Sequence, residues 1–231
     1  MQYAWLVWSL LLLLLWSIVY YSLKSRESRR EMLVVSLWTS LLGLTEPLFV
    51  PEYWNPPSLF DLARRTGFDI ESLIFTFGVG GLAVIIYEWI NRKSRHKRMS
   101  VIERHNSRHK YHLPALLSAP VIFFTLLAFA NINPIYSGVI AMLAGGIFTW
   151  YCRPDLKNKM FISAILFTAI YFVYFLTLNL AFPDYVQQVW NFSTISGILI
   201  LGVPLEELMF AFSLGFLWSS VYEHITWRKL I

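Results

Sequence analysis

Seven carboxylates stand within or at the ends of apolar segments of this chain: Glu46, Asp69, Glu71, Glu88, Glu206, Glu207 and Glu223. An acidic side chain at the centre of a membrane helix costs roughly 2.5–3.5 kcal/mol on insertion scales, so each one needs a reason. Glu88 and Glu223 close their segments beside basic loops, where interfacial water and Lys or Arg supply an ordinary one. Glu206 and Glu207 are harder to dismiss. They follow Pro204, which suits a first helical turn because its missing N–H would be unpaired there. The helix dipole favours acids at that point, but capping needs neither two adjacent glutamates nor the matching Glu71. Adjacent carboxylates in a poorly hydrated site do not ionise together readily, and such pairs serve acid–base chemistry. Aromatic residues share the same level: Tyr53, Trp54, Tyr185, Trp190 and Phe192, then Phe75, Phe77, Phe210 and Phe212. An interfacial aromatic belt explains the Trp and Tyr. An aromatic-walled pocket with acid groups could instead stabilise a carbocation. Glu206, Glu207 and Glu71 are therefore the candidate catalytic set. Phe210, Phe75, Trp190, Trp54, Pro204, Asp69 and Glu46 are the candidate substrate-binding residues.

The elements that must position these groups are membrane helices. The 231 residues are 57% hydrophobic and only 14% charged, against about 25% charged in soluble domains. Mean hydropathy is +0.54. Apolar segments run over 3–23, 32–50, 70–90, 113–130, 135–152, 160–182 and roughly 204–225, each close to the ~20 residues that span a bilayer. A large soluble catalytic domain is excluded, as is a classical nucleotide-binding fold. A single cysteine, Cys152, excludes a disulfide framework and a multi-cysteine metal site. The first segment lacks a basic lead and a small-residue cleavage site, so it reads as a retained span. Of nineteen Lys and Arg, seventeen fall in 24–31, 91–112, 153–159 and the tail, all on one side of a seven-span chain. Only Arg64 and Arg65 lie opposite. The positive-inside rule then sets the N-terminus outside and the C-terminus in the cytoplasm of a multi-pass cell-membrane protein. The basic excess is thereby a topology signal and not a nucleic-acid patch.

The third and seventh segments are related. At an offset of 135, nine of twenty-one positions between 70–90 and 205–225 are identical, including Glu71/Glu206, Phe75/Phe210, Gly80/Gly215 and Glu88/Glu223. Upstream, Trp54-Asn55 resembles Trp190-Asn191. The expected fold is an all-α polytopic membrane protein: seven transmembrane helices as two parallel three-helix repeats joined by a linking helix. The repeats cover 1–112 and 134–231, with 113–133 between them. Sites in such architectures lie between the repeats. The two copies differ at the motif, with Asp69 for Pro204 and Ser72 for Glu207.

Trp190-Asn191-Phe192, Ser196-Gly197-Ile198-Leu199-Ile200, Val203-Pro204-Leu205-Glu206-Glu207-Leu208-Met209-Phe210 and Tyr222-Glu223 together resemble the integral-membrane lycopene cyclase domain family. Its members occur as paired three-helix subunits or as fused two-repeat chains, and the layout here is similar to the fused form. The resemblance implies carotenoid biosynthesis, in which the linear ends of lycopene close to ionone-type rings without net redox change. It implies an intramolecular lyase or isomerase with no cofactor. An acid protonates a terminal alkene, an internal double bond attacks the cation, and a base removes a ring proton. The carried-over residues are Glu206 and Glu207, with Glu71 as their first-repeat counterpart. The implied partners are lycopene or a related polyene and the lipid bilayer, along with self-association or contact with other carotenoid enzymes.

Two other classes compete. A di-iron oxygenase needs several histidine boxes, whereas His105, His109 and His112 form one cluster in a basic loop, with His96 and His224 apart. That cluster reads as a solvated loop, and no metal site is expected. A proton-coupled transporter also fits seven helices, parallel repeats and intramembrane carboxylates.

Overall fold

The computed structural model of the chain describes residues 3–92 and 96–230. Among them the α-helices run in chain order as α1 (Ala4–Ser22), α2 (Arg26–Ser40), the short α3 (Leu62–Thr66), α4 (Ile70–Asn91), the short α5 (Val101–Arg104), α6 (His112–Phe129), α7 (Pro134–Cys152), α8 (Lys157–Ala181), the short α9 (Tyr185–Val189) and α10 (Leu205–Thr226). Four strands of two or three residues complete the regular structure: β1 (His96–Arg98), β2 (Leu199–Ile200), β3 (Val203–Pro204) and β4 (Arg228–Leu230). Five segments are long and apolar enough to cross a membrane: Ala4–Ser22, Ile70–Asn91, Ser107–Phe129, Pro134–Cys152 and Pro154–Ala181. α2, at 15 residues, is too short for that set, and α10 is less apolar, carrying Glu206, Glu207, Glu223 and His224.

The helix starts have local causes. Ser25 caps α2 by accepting from Glu27 N and Ser28 N, Asp69 caps α4 by accepting from Ser72 N, and Asn133 caps α7 ahead of Pro134. Such caps satisfy amide donors that have no partner within the helix. The cap at Ser25 corrects one expectation. The charged run 24–31 is not a break: it forms the first turns of α2, and Glu31 and Ser28 are buried there. The same helix tightens into a 3-10 segment over Leu41–Leu48, which contains Pro47, a residue with no N–H to continue α-helical bonding. Pro204 is corrected by one position. It ends a β2–β3 hairpin, pairing with Leu199, and α10 begins at Leu205.

α4 packs on α1 and α2, α10 packs on α7 and α8, and α4 and α10 touch each other. α6 packs chiefly on α7, and Ala115 is its one buried residue. Close approach needs small residues at these contacts. A Cβ on Gly215 would lie 2.9 Å from Ser163 O, so α10 and α8 meet there backbone to backbone. The outer surface is apolar, with Leu14, Leu37, Trp38, Phe124, Phe148 and Leu180 exposed. Ser9, Ser36, Thr39, Ser137, Ser163, Ser213, Ser219 and Ser220 are inside. Lipid does not reward burying leucine, so polar and small residues take the interior contacts.

At the end of the bundle where α4 and α10 finish, Lys159 Nζ from α8 reaches Glu31 (3.2 Å), Glu88 (3.1 Å) and Glu223 (2.5 Å), from α2, α4 and α10. His96 Nε2 lies 3.0 Å from Glu88, and Ser28 donates to its other oxygen at 2.8 Å. All of these side chains are buried. Nearby, β1 pairs antiparallel with β4 through Lys97 and Lys229. At the opposite end, Trp54 and Trp190 form an antiparallel bridge, with Asn55 N donating to Val189 O and Asn191 N to Tyr53 O, both at 2.9 Å.

Removing the ammonium would leave His96, 3.0–3.6 Å from all three, facing the buried carboxylates without Lys159. Breaking a buried ion pair costs about 3–5 kcal/mol, and Lys159→Ala is expected to destabilise the protein by that order in detergent-micelle unfolding. A loss below 1 kcal/mol would show that water or His96, not Lys159, neutralises the cluster.

Candidate active site

A cavity of about 600 Å³ opens between the 3-10 end of α2 and helices α4, α6, α7, α8 and α10. That volume lies within the ~300–1,000 Å³ range of small-molecule pockets. Its wall is aromatic and aliphatic: Trp8, Phe49, Tyr53, Trp54, Phe75, Phe123, Phe124, Tyr171, Trp190, Phe210, Leu214 and Trp218 take part. Two carboxylates reach it, Glu207 and Glu46. Thr149, His224 and Ile225 line its other end, toward the finish of α7 and α10.

Glu207 is held by three donors from three parts of the chain. Tyr53 Oη donates to Oε1 at 2.6 Å, Trp190 Nε1 donates to the same oxygen at 3.0 Å, and Tyr171 Oη donates to Oε2 at 2.6 Å. No Lys or Arg stands within ion-pair distance among the described residues. Burial and the neighbouring Glu207 push the Tyr53 hydroxyl well above its usual range, so it remains a donor. The aromatic frame is continuous around this point. Trp54 meets Trp190 at 5.3 Å and Trp5 at 4.7 Å, Phe75 lies 5.7 Å from Trp8, and Tyr171 lies 6.1 Å from Phe210. Glu46 enters from the 3-10 segment with Ser72 and Trp54 beside it, and its Oε1 has no hydrogen-bond partner among the described residues.

The remaining expected residues lie elsewhere. Glu206 points away from Glu207, since neighbours on a helix are about 100° apart. Its Oε1 accepts from Tyr136 Oη (2.6 Å) and from Ser196 N (2.9 Å). Glu71, its counterpart, does the same work in the other half: its Oε1 accepts from Leu59 N at 2.7 Å. Each glutamate pins the backbone of the loop that precedes its helix, and neither lines the cavity. Asp69 caps α4, and burial raises its carboxyl above the usual range. Pro204 is buried outside the cavity. Phe75, Phe210, Trp54 and Trp190 line it. So does Ser72, the counterpart of Glu207.

Tyr171 escaped the sequence reading, although a tyrosine inside the apolar 160–182 run carries a hydroxyl that needs a partner. The histidines also differ from expectation. His224 and the His96 side chain are buried, not solvated, and His109 and His112 are half-buried beside Cys152.

The family model for lycopene cyclase matches residues 133–225. Over that segment the chain is similar to the lycopene cyclase family. Comparisons with curated proteins and with solved structures find no match. The matched segment supplies Tyr171, Trp190, Glu207 and Phe210 to the cavity, along with the Glu206 anchor. Residues before the matched segment supply Glu46, Tyr53, Trp54, Phe75 and the α6 wall, so the cavity closes only when both parts of the chain are present.

Tyr53→Phe and Tyr171→Phe each take one donor from a buried carboxylate. A buried group left unsatisfied costs about 1–3 kcal/mol, and that loss is expected from each variant in micelle unfolding. Unchanged stability in both would mean that Glu207 is hydrated.

Proposed function

We propose that this chain is a membrane-embedded cyclase that closes the linear ends of lycopene, or of a closely related polyene, by acid–base chemistry. The observation that carries this reading is Glu207. A carboxylate with three fixed donors and no cation partner faces an aromatic cavity, within the segment that matches the lycopene cyclase family.

The proposed reaction uses two carboxyl groups. Glu46 is the proton donor, because it faces the cavity with one oxygen unpartnered. Its proton adds to a terminal alkene carbon and leaves a tertiary cation. An internal double bond attacks, forming the ring bond and moving the positive charge onto the ring. Glu207 then accepts a ring proton, and a new ring double bond forms. One proton enters and one leaves, so the product is an isomer. Transfer of a proton from Glu207 back to Glu46 resets the enzyme. Phe75, Phe210, Trp54, Trp190 and Tyr171 present ring faces to the cation. Glu71 and Glu206 hold the loops that carry Tyr53, Trp54 and Trp190, and thus position the site without touching the reacting atoms.

We also propose seven spans. The α2–Leu48 segment and α10 join the five apolar helices, because Glu31 and Glu223 within them are paired with Lys159 inside the protein instead of facing lipid. The paired crossings of Trp54 with Trp190, and of β1 with β4, support a two-fold relation between parallel repeats. The Lys and Arg distribution supports an N-terminus outside and a C-terminus in the cytoplasm.

Expression in a lycopene-accumulating bacterium tests the function. Cyclised pigments are expected from the wild type. Loss of a general acid or base typically costs about 10²–10⁴-fold, so Glu207→Gln and Glu46→Gln should each abolish detectable product. Glu206→Gln should retain some activity. Unchanged lycopene with wild-type protein in the membrane would overturn the cyclase reading. Full yield from Glu207→Gln would remove that residue from the chemistry.

A further inference from the structure

Beyond the end of the cavity that Thr149 and His224 line, away from Glu207, three metal-ligating side chains converge. His109 and His112 stand three apart at the start of the α6 segment, and Cys152 is the last residue of α7. Cys152 Sγ lies 3.5 Å from His109 Nδ1 and 3.8 Å from His112 Nδ1. One ligand atom from each falls within 4.8 Å of the other two. A tetrahedral zinc ion, with Zn–S near 2.3 Å and Zn–N near 2.0–2.1 Å, sets sulfur and nitrogen about 3.5 Å apart. The observed separations match that requirement within a few tenths of an ångström.

The surroundings hold the ligands in place. Trp227 stacks on the His112 ring at 3.8 Å and meets His109 edge-on at 5.2 Å. Arg153, next in sequence to Cys152, is turned into a two-point pair with Asp155 (2.9 and 2.7 Å), which offsets its charge. A fourth imidazole adjoins the group. His224 is buried, its ring lies 4.4 Å from that of His112, and its Nδ1 faces Thr149 Oγ1 at 3.4 Å. Its Nε2 has no hydrogen-bond partner among the described residues. Because His109 and His112 are half-buried, an ion has a route in.

We propose that His109, His112 and Cys152 form a binding site for one zinc-class divalent ion, with a fourth position left open. One thiolate and two imidazoles suit zinc better than magnesium or calcium, which take oxygen ligands. The ion clips the segment leading into α6 to the end of α7. It thereby fixes α6, a wall of the cavity, at the end lined by Thr149 and His224. This site stands independently of the cyclase reading.

The test uses the full chain in detergent, stripped with a chelator and titrated with Co²⁺, then Zn²⁺. One equivalent of Co²⁺ should produce a thiolate-to-metal charge-transfer band, and Zn²⁺ should displace it. Since Cys152 is the sole cysteine, the band reports that residue alone. Cys152→Ser should lose the band. His112→Ala should weaken binding by more than roughly 100-fold, beyond the range typical of outer-shell partners. His105→Ala and Glu207→Gln should bind as wild type. Zn²⁺ should raise the melting temperature of the wild type but not of Cys152→Ser, and equal melting of the two in chelator shows that the variant is folded. Absence of the band at excess Co²⁺ overturns the site. So does a Zn²⁺ affinity that survives the double variant His109→Ala/His112→Ala, which marks adventitious metal only.

Discussion

One ammonium and one imidazole gather three carboxylates in the interior of this bundle. Lys159 draws Glu31, Glu88 and Glu223 to a single point, and the helices that carry them cannot separate without exposing charge to a poorly polar surround. Glu88 and Glu223 are counterparts in the two related segments, so the cluster sits where the two halves of the chain meet. Everything above it, including the spacing of α4 and α10 across the cavity, inherits that registration.

The opposite end handles charge differently. Among the described residues Glu207 has hydroxyl and indole donors but no cation, and Glu46 has no ion pair. Where the fold needs rigidity, charge is paired directly. Where the cavity needs reactive groups, carboxyls are supported by neutral donors or left partly free. A fixed cation beside them would repel a carbocation, whereas ring faces and carboxylates attract one.

The duplicated glutamates divide the labour in a way their spacing conceals. Glu71 and Glu206 occupy the shared position and share a role, each accepting an amide from the loop before its helix. The position that differs, Ser72 against Glu207, is the one that faces the cavity in both halves. Glu71 and Glu206 thus serve equivalent positions, and of the Ser72/Glu207 pair only Glu207 brings a carboxylate to the cavity.

Much of this was legible in the residues. Apolar runs with charged breaks mark helices because a bilayer demands internal backbone bonding over its whole thickness. The aromatic residues of the wall and the adjacent acids that open α10 can be read from residue types and their order. Which carboxylate faces the cavity does not. Residues 206 and 207 are indistinguishable by composition, and the rotation between them becomes meaningful only when α7, α8 and the Trp54–Trp190 crossing are in place. Glu31, Lys159 and His96 read as loop charges for the same reason: they lie far apart in the chain, and three-dimensional packing alone brings them together. Residue order specified helices, halves and a chemical vocabulary. Tertiary structure decided which groups share a site, because proximity across helices is set by packing and not by sequence separation.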